Sequence, residues 1–186
     1  AKKMELYGAE AIVIMDSAGA YLPSDVSDRI TTLVEGLSVP VGFHGHNNLG
    51  MGIANSIAAI EAGAKILDGT AKGFGAGAGN AQIEILIAVL EKMGYDTGID
   101  LYKVLDAVDI AEKEIMPFVP IIKSESVVSG LAGVFSGFAK HVTRISKEYN
   151  VDPRDVYFEL GKRKVVAGQE DLIIEVVMDL IKTKAS

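Results

Sequence analysis

The sequence predicts an α/β fold, with parallel strand–helix units first and a tail of helices alone after them. Three observations carry that prediction. Short apolar runs alternate with amphipathic helical stretches up to Gly94, the signature of βαβ units. Each apolar run ends in polar residues and a loop rich in Gly, which is how the loop ends of parallel sheets carry ligands. Beyond Gly94 only helical periodicity remains, interrupted at Pro117 and Pro120.

Taken in order, the chain opens on "AKKMELYG", without a methionine. It reads as the last turns of a helix already under way, so a piece of a longer protein is expected. The first strand is "AIVIMD" (11–16), followed by "SAGAYLPSD" and a helix over 25–36, with Ser24 and Asp25 as cap candidates. The second strand, "PVGFHGH" (40–46), leads to a helix over 49–62. The third, "KILDGTA" (65–71), leads through "KGFGAGAGN" to a helix over 81–93. Such a set makes a thin open sheet. Residues 101–116 place Leu101, Val104, Leu105, Val108 and Ile115 at helical spacing. Further helices are expected over 130–150, 152–162 and 170–184, the middle one started by "VDPRD" with Asp152 at N-cap and Pro153 at N1. A boundary falls at 117–129, dividing a region of residues 1–116 from a helical region of 117–186.

Composition narrows the function classes. The 186 residues are 49% hydrophobic and 23% charged, which suits a globular protein with a sizeable core. A net charge of -7 argues against nucleic acid or an anionic membrane as partner, because both demand clustered Lys and Arg. Without cysteine there is no disulfide, thiolate nucleophile or zinc–cysteine site. No apolar run reaches the ~18 residues of a membrane span and no signal peptide is visible, so a cytoplasmic protein is expected.

The chemistry is sought at the strand ends. Residues i and i+2 of a strand share a face, so His44 and His46 can aim two imidazoles at one point. Two ligands of a divalent cation are one reading; two polar residues at an exposed strand end are the other. The neighbouring ends, Asp16-Ser17 and Asp68-Gly69-Thr70, would form one contiguous surface with them, although Asp, Asn and Gly are also ordinary turn formers. "GAGAGN" (75–80) contains no G-x-G-x-x-G. It suits either exposed amide groups for a small carboxylate or a tight loop.

The stretch "VGFHGHNNLGMGIANSIAAIEAGAKILDGTAKGFGAGAGNAQIEILIAVLEKMGYDTGIDL" resembles the end of the barrel in the metal-dependent aldolase and acyl-condensing family. That family includes isopropylmalate synthase and hydroxymethylglutaryl lyase. The tail "LAGVFSGFAKHVTRISKEYNV…VAGQEDLIIEVVMDL" is similar to the helical region of the family's pyruvate-yielding aldolases, a region that the condensing enzymes lack.

The resemblance implies the last three βα units of a (β/α)8 TIM barrel followed by a small all-α domain. It implies a lyase cleaving a 4-hydroxy-2-oxo acid, such as 4-hydroxy-2-oxovalerate, to pyruvate and a short aldehyde. His44 and His46 would be metal ligands, with Mn2+ the first expectation and Mg2+ or Co2+ the alternatives. Ser17, His44 and Phe135 would meet the substrate. Asn80 stands where some relatives place a further metal ligand. The helical tail would bind an acylating acetaldehyde dehydrogenase, and an oligomer is expected. The family's R-D-G-x-H motif, carrying an Asp ligand, an Arg and the catalytic His, is absent, so no catalytic base is expected in this chain. Phe135 replaces a family Tyr and removes a hydrogen-bond donor, and Ala167 replaces a Gly. An isolated chain of this kind would be inactive. The alternative is a non-catalytic interaction module acting through its helical tail. His141 is expected to be a surface residue.

Overall fold

A computed structural model of the chain describes residues 1–185. Helix α1 (Lys2–Leu6) leads to strand β1 (Ile12–Asp16), and helix α2 (Pro23–Gly36) to β2 (Val41–Gly45). Helix α3 (Gly52–Glu61) and the short β3 (Ile66–Leu67) follow, then α4 (Ile83–Lys92) and α5 (Leu101–Glu114). The remaining elements are α6 (Ser124–Ala132), α7 (Ala139–Glu148), α8 (Pro153–Lys162) and α9 (Leu172–Ala185).

The three strands form a parallel sheet in the order β1-β2-β3, with Met15 beside His44 and Phe43 beside Leu67. Ile12 and Phe43 point to the face covered by α2 and α3, where Val26, Ile30, Val41, Ala58 and Ala59 pack with them or nearby. On the opposite face Val13 (41% exposed), Met15 (59%) and Ile66 (37%) are bare. The α/β class is as expected. The third strand is shorter than the expected 65–71, because residues 79–82 fold into its place. Ala81 N–H donates to Gly45 O at 2.9 Å and Thr70 N–H to Ala81 O at 3.0 Å.

Helix α2 begins at Pro23, earlier than expected, and Asp25 reaches back to accept from Leu22 N–H at 2.9 Å. Asp152 caps α8 as expected, accepting from Arg154 N–H at 2.9 Å. The single helix expected over 130–150 is two helices joined by a 3₁₀ turn (Ser136–Phe138). The break lies at Gly133, left-handed at φ 69°, which ends α6. Helix α6 itself starts at Ser124, inside the segment expected to be a mere boundary. The helical region has its own core, in which Val134, Phe138, Val142, Tyr157, Leu160 and Val176 are almost wholly buried.

Candidate metal centre

His44 and His46 lie on the open face of the sheet, because His44 shares its register position with Met15 and a strand alternates faces. Their rings meet edge to face, with centroids 5.2 Å apart. The glycine-rich loop then folds back onto the end of β2. Asn47 N–H donates to Gly79 O at 2.8 Å, and His46 pairs with Asn80 in an antiparallel bridge. Gly73 and Gly79 permit this return through positive φ of 70° and 86°.

The fold-back leaves two buried polar atoms without a partner. His46 is 9% exposed and its Nδ1 has no partner among the described residues; neither has the Asn80 Oδ1. The Asn80 amide nitrogen is already spent on Phe74 O (3.2 Å) and Thr70 Oγ1 (3.4 Å), which turns its oxygen free. Burial, and secondly the neighbouring His44, hold the His46 pKa below its ordinary value. Its imidazole is therefore kept in the neutral form that binds metals. Asp68 stands next to His44, with Oδ1 2.5 Å from the ring Nδ1. Among the described residues no three His, Cys, Asp or Glu side chains converge as a complete ligand set. Two imidazoles and an amide oxygen nevertheless fit a divalent cation that takes its remaining ligands elsewhere.

Ser17 and Phe135 meet in a separate cleft of 360 Å³, lined also by Asp16, Tyr21, Val166 and Ala167. The two imidazoles are not among its lining residues. The structure thus brings together His44, His46 and Asn80 on one side, and Ser17, Phe135 and Ala167 on the other. His141 is exposed, as expected.

Between them stands Asn48, wholly buried. Its Nδ2 donates to Ala18 O and to Ser136 Oγ, both at 2.9 Å, and its Oδ1 accepts from Ala78 N–H at 2.8 Å. Ser136 N–H in turn donates to Ser17 O at 2.9 Å. One side chain therefore ties the β1 loop, the glycine-rich loop and the helical region together. Three glycines crowd it: a Cβ on Gly19 would sit 2.7 Å from Asn48 N, one on Gly77 2.6 Å from Asn48 Oδ1, and one on Gly130 3.1 Å from Asn48 Cβ. Sequence reading set Asp68 on the contiguous surface of strand ends without pairing it to His44, and gave Asn48 no role of its own. The signal that could have found Asn48 was the second Asn directly after H-x-H.

Residues 1–110 match the family described as HMGL-like. The chain belongs to the HMGL-like family. Residues 120–182 also match the DmpG-like communication domain. Relatives of this HMGL-like chain include the 4-hydroxy-2-oxovalerate aldolase of Pectobacterium atrosepticum, 69% identical over 182 residues, covering 98% of this chain and 53% of the relative. The 4-hydroxy-2-oxovalerate aldolase of Spirochaeta aurantia is 64% identical over 180 residues, covering 97% of this chain and 53% of the relative. The chain spans about half the length of the curated relatives it matches. Among solved structures, the carboxyl transferase domain of Rhizobium etli pyruvate carboxylase with pyruvate aligns at a TM-score of 0.79 and 16% identity. That alignment covers 98% of this chain and 33% of the other, and is a likeness of fold alone.

Proposed function

We propose that this chain is the C-terminal part of a divalent-metal aldolase that cleaves 4-hydroxy-2-oxovalerate, or a close 4-hydroxy-2-oxo acid, to pyruvate and a short aldehyde. The observation that carries the reading is the pair of imidazoles on the open sheet face, with His46 Nδ1 and Asn80 Oδ1 buried beside them and unpartnered. Buried polar atoms cost stability unless something satisfies them, and a cation would satisfy both. Relatives named for this activity, 69% and 64% identical, support the same reading.

His44 and His46 would hold the ion, with Asn80 as the further donor. Mn2+ is the first choice, ahead of Mg2+ or Co2+. When bound, such an ion supplies Lewis-acid stabilisation of the negative charge that develops on the 2-oxo acid. This chain's own contribution is placement. Ser17 would donate a hydrogen bond to the acid end of the substrate from a cleft that the Phe135 ring walls with apolar surface. This requires the substrate to reach beyond that cleft, whose lining does not include the two imidazoles. The R-D-G-x-H motif is absent from this sequence, so we assign the base that takes the C4 hydroxyl proton to a part of the protein outside residues 1–186.

Residues 1–116 would form part of the barrel and 117–186 a helical domain; their separate cores, around Phe43 and around Tyr157, support that division. We assign the helical domain the contact with an acylating acetaldehyde dehydrogenase. The match to a communication domain supports it. Exposed Leu131, Phe158, Val166 and Ile174 give that domain apolar outer surface. Among the described residues no helix is long and apolar enough to cross a membrane, which is consistent with a cytoplasmic enzyme and a likewise cytoplasmic partner.

The test is His44→Ala and His46→Ala in the whole protein, read by Mn2+ titration and by pyruvate release. Each should weaken Mn2+ binding by ~100-fold or more, since even outer-shell changes reach that size, and abolish cleavage. Normal Mn2+ affinity and cleavage in both variants would remove the metal assignment.

A further inference from the structure

We propose that Asp68 is a positioning residue that fixes the orientation and tautomer of His44, and so decides which ring nitrogen of His44 is offered to the ion. The proposal rests on the metal reading for its consequence, but not for its geometry.

The placement follows from sheet register. Phe43 lies beside Leu67 across the β2–β3 pair, so residue 68 follows beside residue 44. Neighbouring positions on adjacent strands share a face. The Asp68 Oδ1 lies 2.5 Å from His44 Nδ1. An ionised carboxylate only accepts, so the proton between them resides on Nδ1 and the lone pair on Nε2 is left free. A half-turn of the ring would bring a carbon against the carboxylate and lose the bond. The contact therefore selects one ring orientation and one tautomer together.

Asp68 is not occupied with the turn that its sequence context suggests. Asp16, at the end of β1, accepts from Ala20 N–H and Tyr21 N–H, both at 3.0 Å, and spends its oxygens on its own loop. Asp68 makes no such bond to its loop. Among the described residues its one hydrogen bond is the one to His44, and no Lys or Arg is paired with it. Its side chain is 55% exposed, against 14% for His44, so replacing it leaves no hole in the core. A carboxylate behind a ligating imidazole orients the ring and raises its donor strength.

The experiment uses the whole protein labelled with [15N]histidine, first without metal. Long-range 1H–15N correlation reads the tautomer of His44, assigned by the signal lost in His44→Ala. The parent should show Nδ1–H. Asp68→Asn should keep it, because the amide oxygen still accepts, and Asp68→Ala should shift the ring toward Nε2–H. Mn2+ titration should then give ~10–100-fold weaker binding in Asp68→Ala and a smaller loss in Asp68→Asn. A His44 tautomer unchanged in Asp68→Ala overturns the proposal, whatever the metal does. Equal loss of Mn2+ in Asp68→Asn and Asp68→Ala would make the carboxylate itself a donor, and overturns it too. If Asp68→Ala shifts the tautomer while His44→Ala and His46→Ala bind Mn2+ normally, the positioning stands and the metal reading falls.

Discussion

Around Tyr157 the helical region closes on itself: Phe138, Val142, Leu160, Ile173 and Val176 are buried against one another, and apolar contact is nearly all they make. Among the described residues the polar side chains buried in the helical region include Ser126, Ser129, Ser136 and Ser146, whereas the sheet region around Phe43 buries carboxyl and amide groups. Asp16, Asn48, Asn55 and Asn80 are each under a tenth exposed, while Val13 and Met15 on the open face are not covered. The first region spends its burial on stability. The second spends it on holding loops and lone pairs in fixed places, and its open face suits relatives that carry about as much chain again. The difference teaches that the closed apolar core and the strand end bearing the two imidazoles come from different stretches of one chain, while both stretches wall the cleft of Ser17 and Phe135.

The largest way to break that contrast is to damage the helical core. Phe138→Ala should cost about 3–5 kcal/mol by leaving a cavity in a closed core. Denaturant unfolding would measure it, and a cost below about 1 kcal/mol would mean that the core is looser than its burial implies.

Asn48→Ala should come next, at about 2–4 kcal/mol, because Ala18 O, Ser136 Oγ and Ala78 N–H all lose a buried partner. Here the pattern matters more than the total. Amide exchange should quicken in the loops at 17–21 and 75–79 while α7 to α9 stay protected. Uniform loosening of both regions would show that they open as one cooperative unit.

Smaller effects should divide the regions by pH. The His46 pKa is held low by burial, then by His44. The unfolded chain therefore takes up a proton that the folded one resists, and stability present above about pH 6.5 is lost as pH falls. Burial pushes the Tyr157 phenol up. The unfolded chain then ionises first, and stability present below about pH 10 is lost as pH rises. Thermal melts should show the acid limb flattened by His46→Gln and the alkaline limb by Tyr157→Phe. If either substitution leaves its limb unchanged, the linked group lies elsewhere.

The smallest effect is expected at the open face. Met15→Ser, at a residue 59% exposed, should change the stability of this chain by less than about 0.5 kcal/mol. A large cost would show that the face is covered, by a second copy for instance, which gel filtration would detect.

The strand–helix units were legible because apolar alternation and helical spacing are local signals. His44 and His46 were legible for the same reason, since i and i+2 alone put two rings on one face. Asn80 and Phe135 were placed by resemblance to a family, not by spacing. The break at Gly133 was missed because the apolar pattern runs on through it, and only the left-handed φ shows the stop. Asn48 was missed because its partner Ser136 is 88 residues away, and an Asn in a Gly-rich loop looks like any turn former. Asp68 looked the same as Asp16. Strand register separates them, and sequence alone does not show register.

The crowding of Gly19, Gly77 and Gly130 around Asn48 has a bearing on engineering. None of these glycines carries a functional group, yet in a saturation-mutagenesis library their columns would be depleted by crowding alone. A designer ranking positions by tolerance alone would mistake them for catalysts. A redesign of the cleft around Phe135 would do well to leave all four residues fixed, because enlarging any one of them moves two loops and a helix at once.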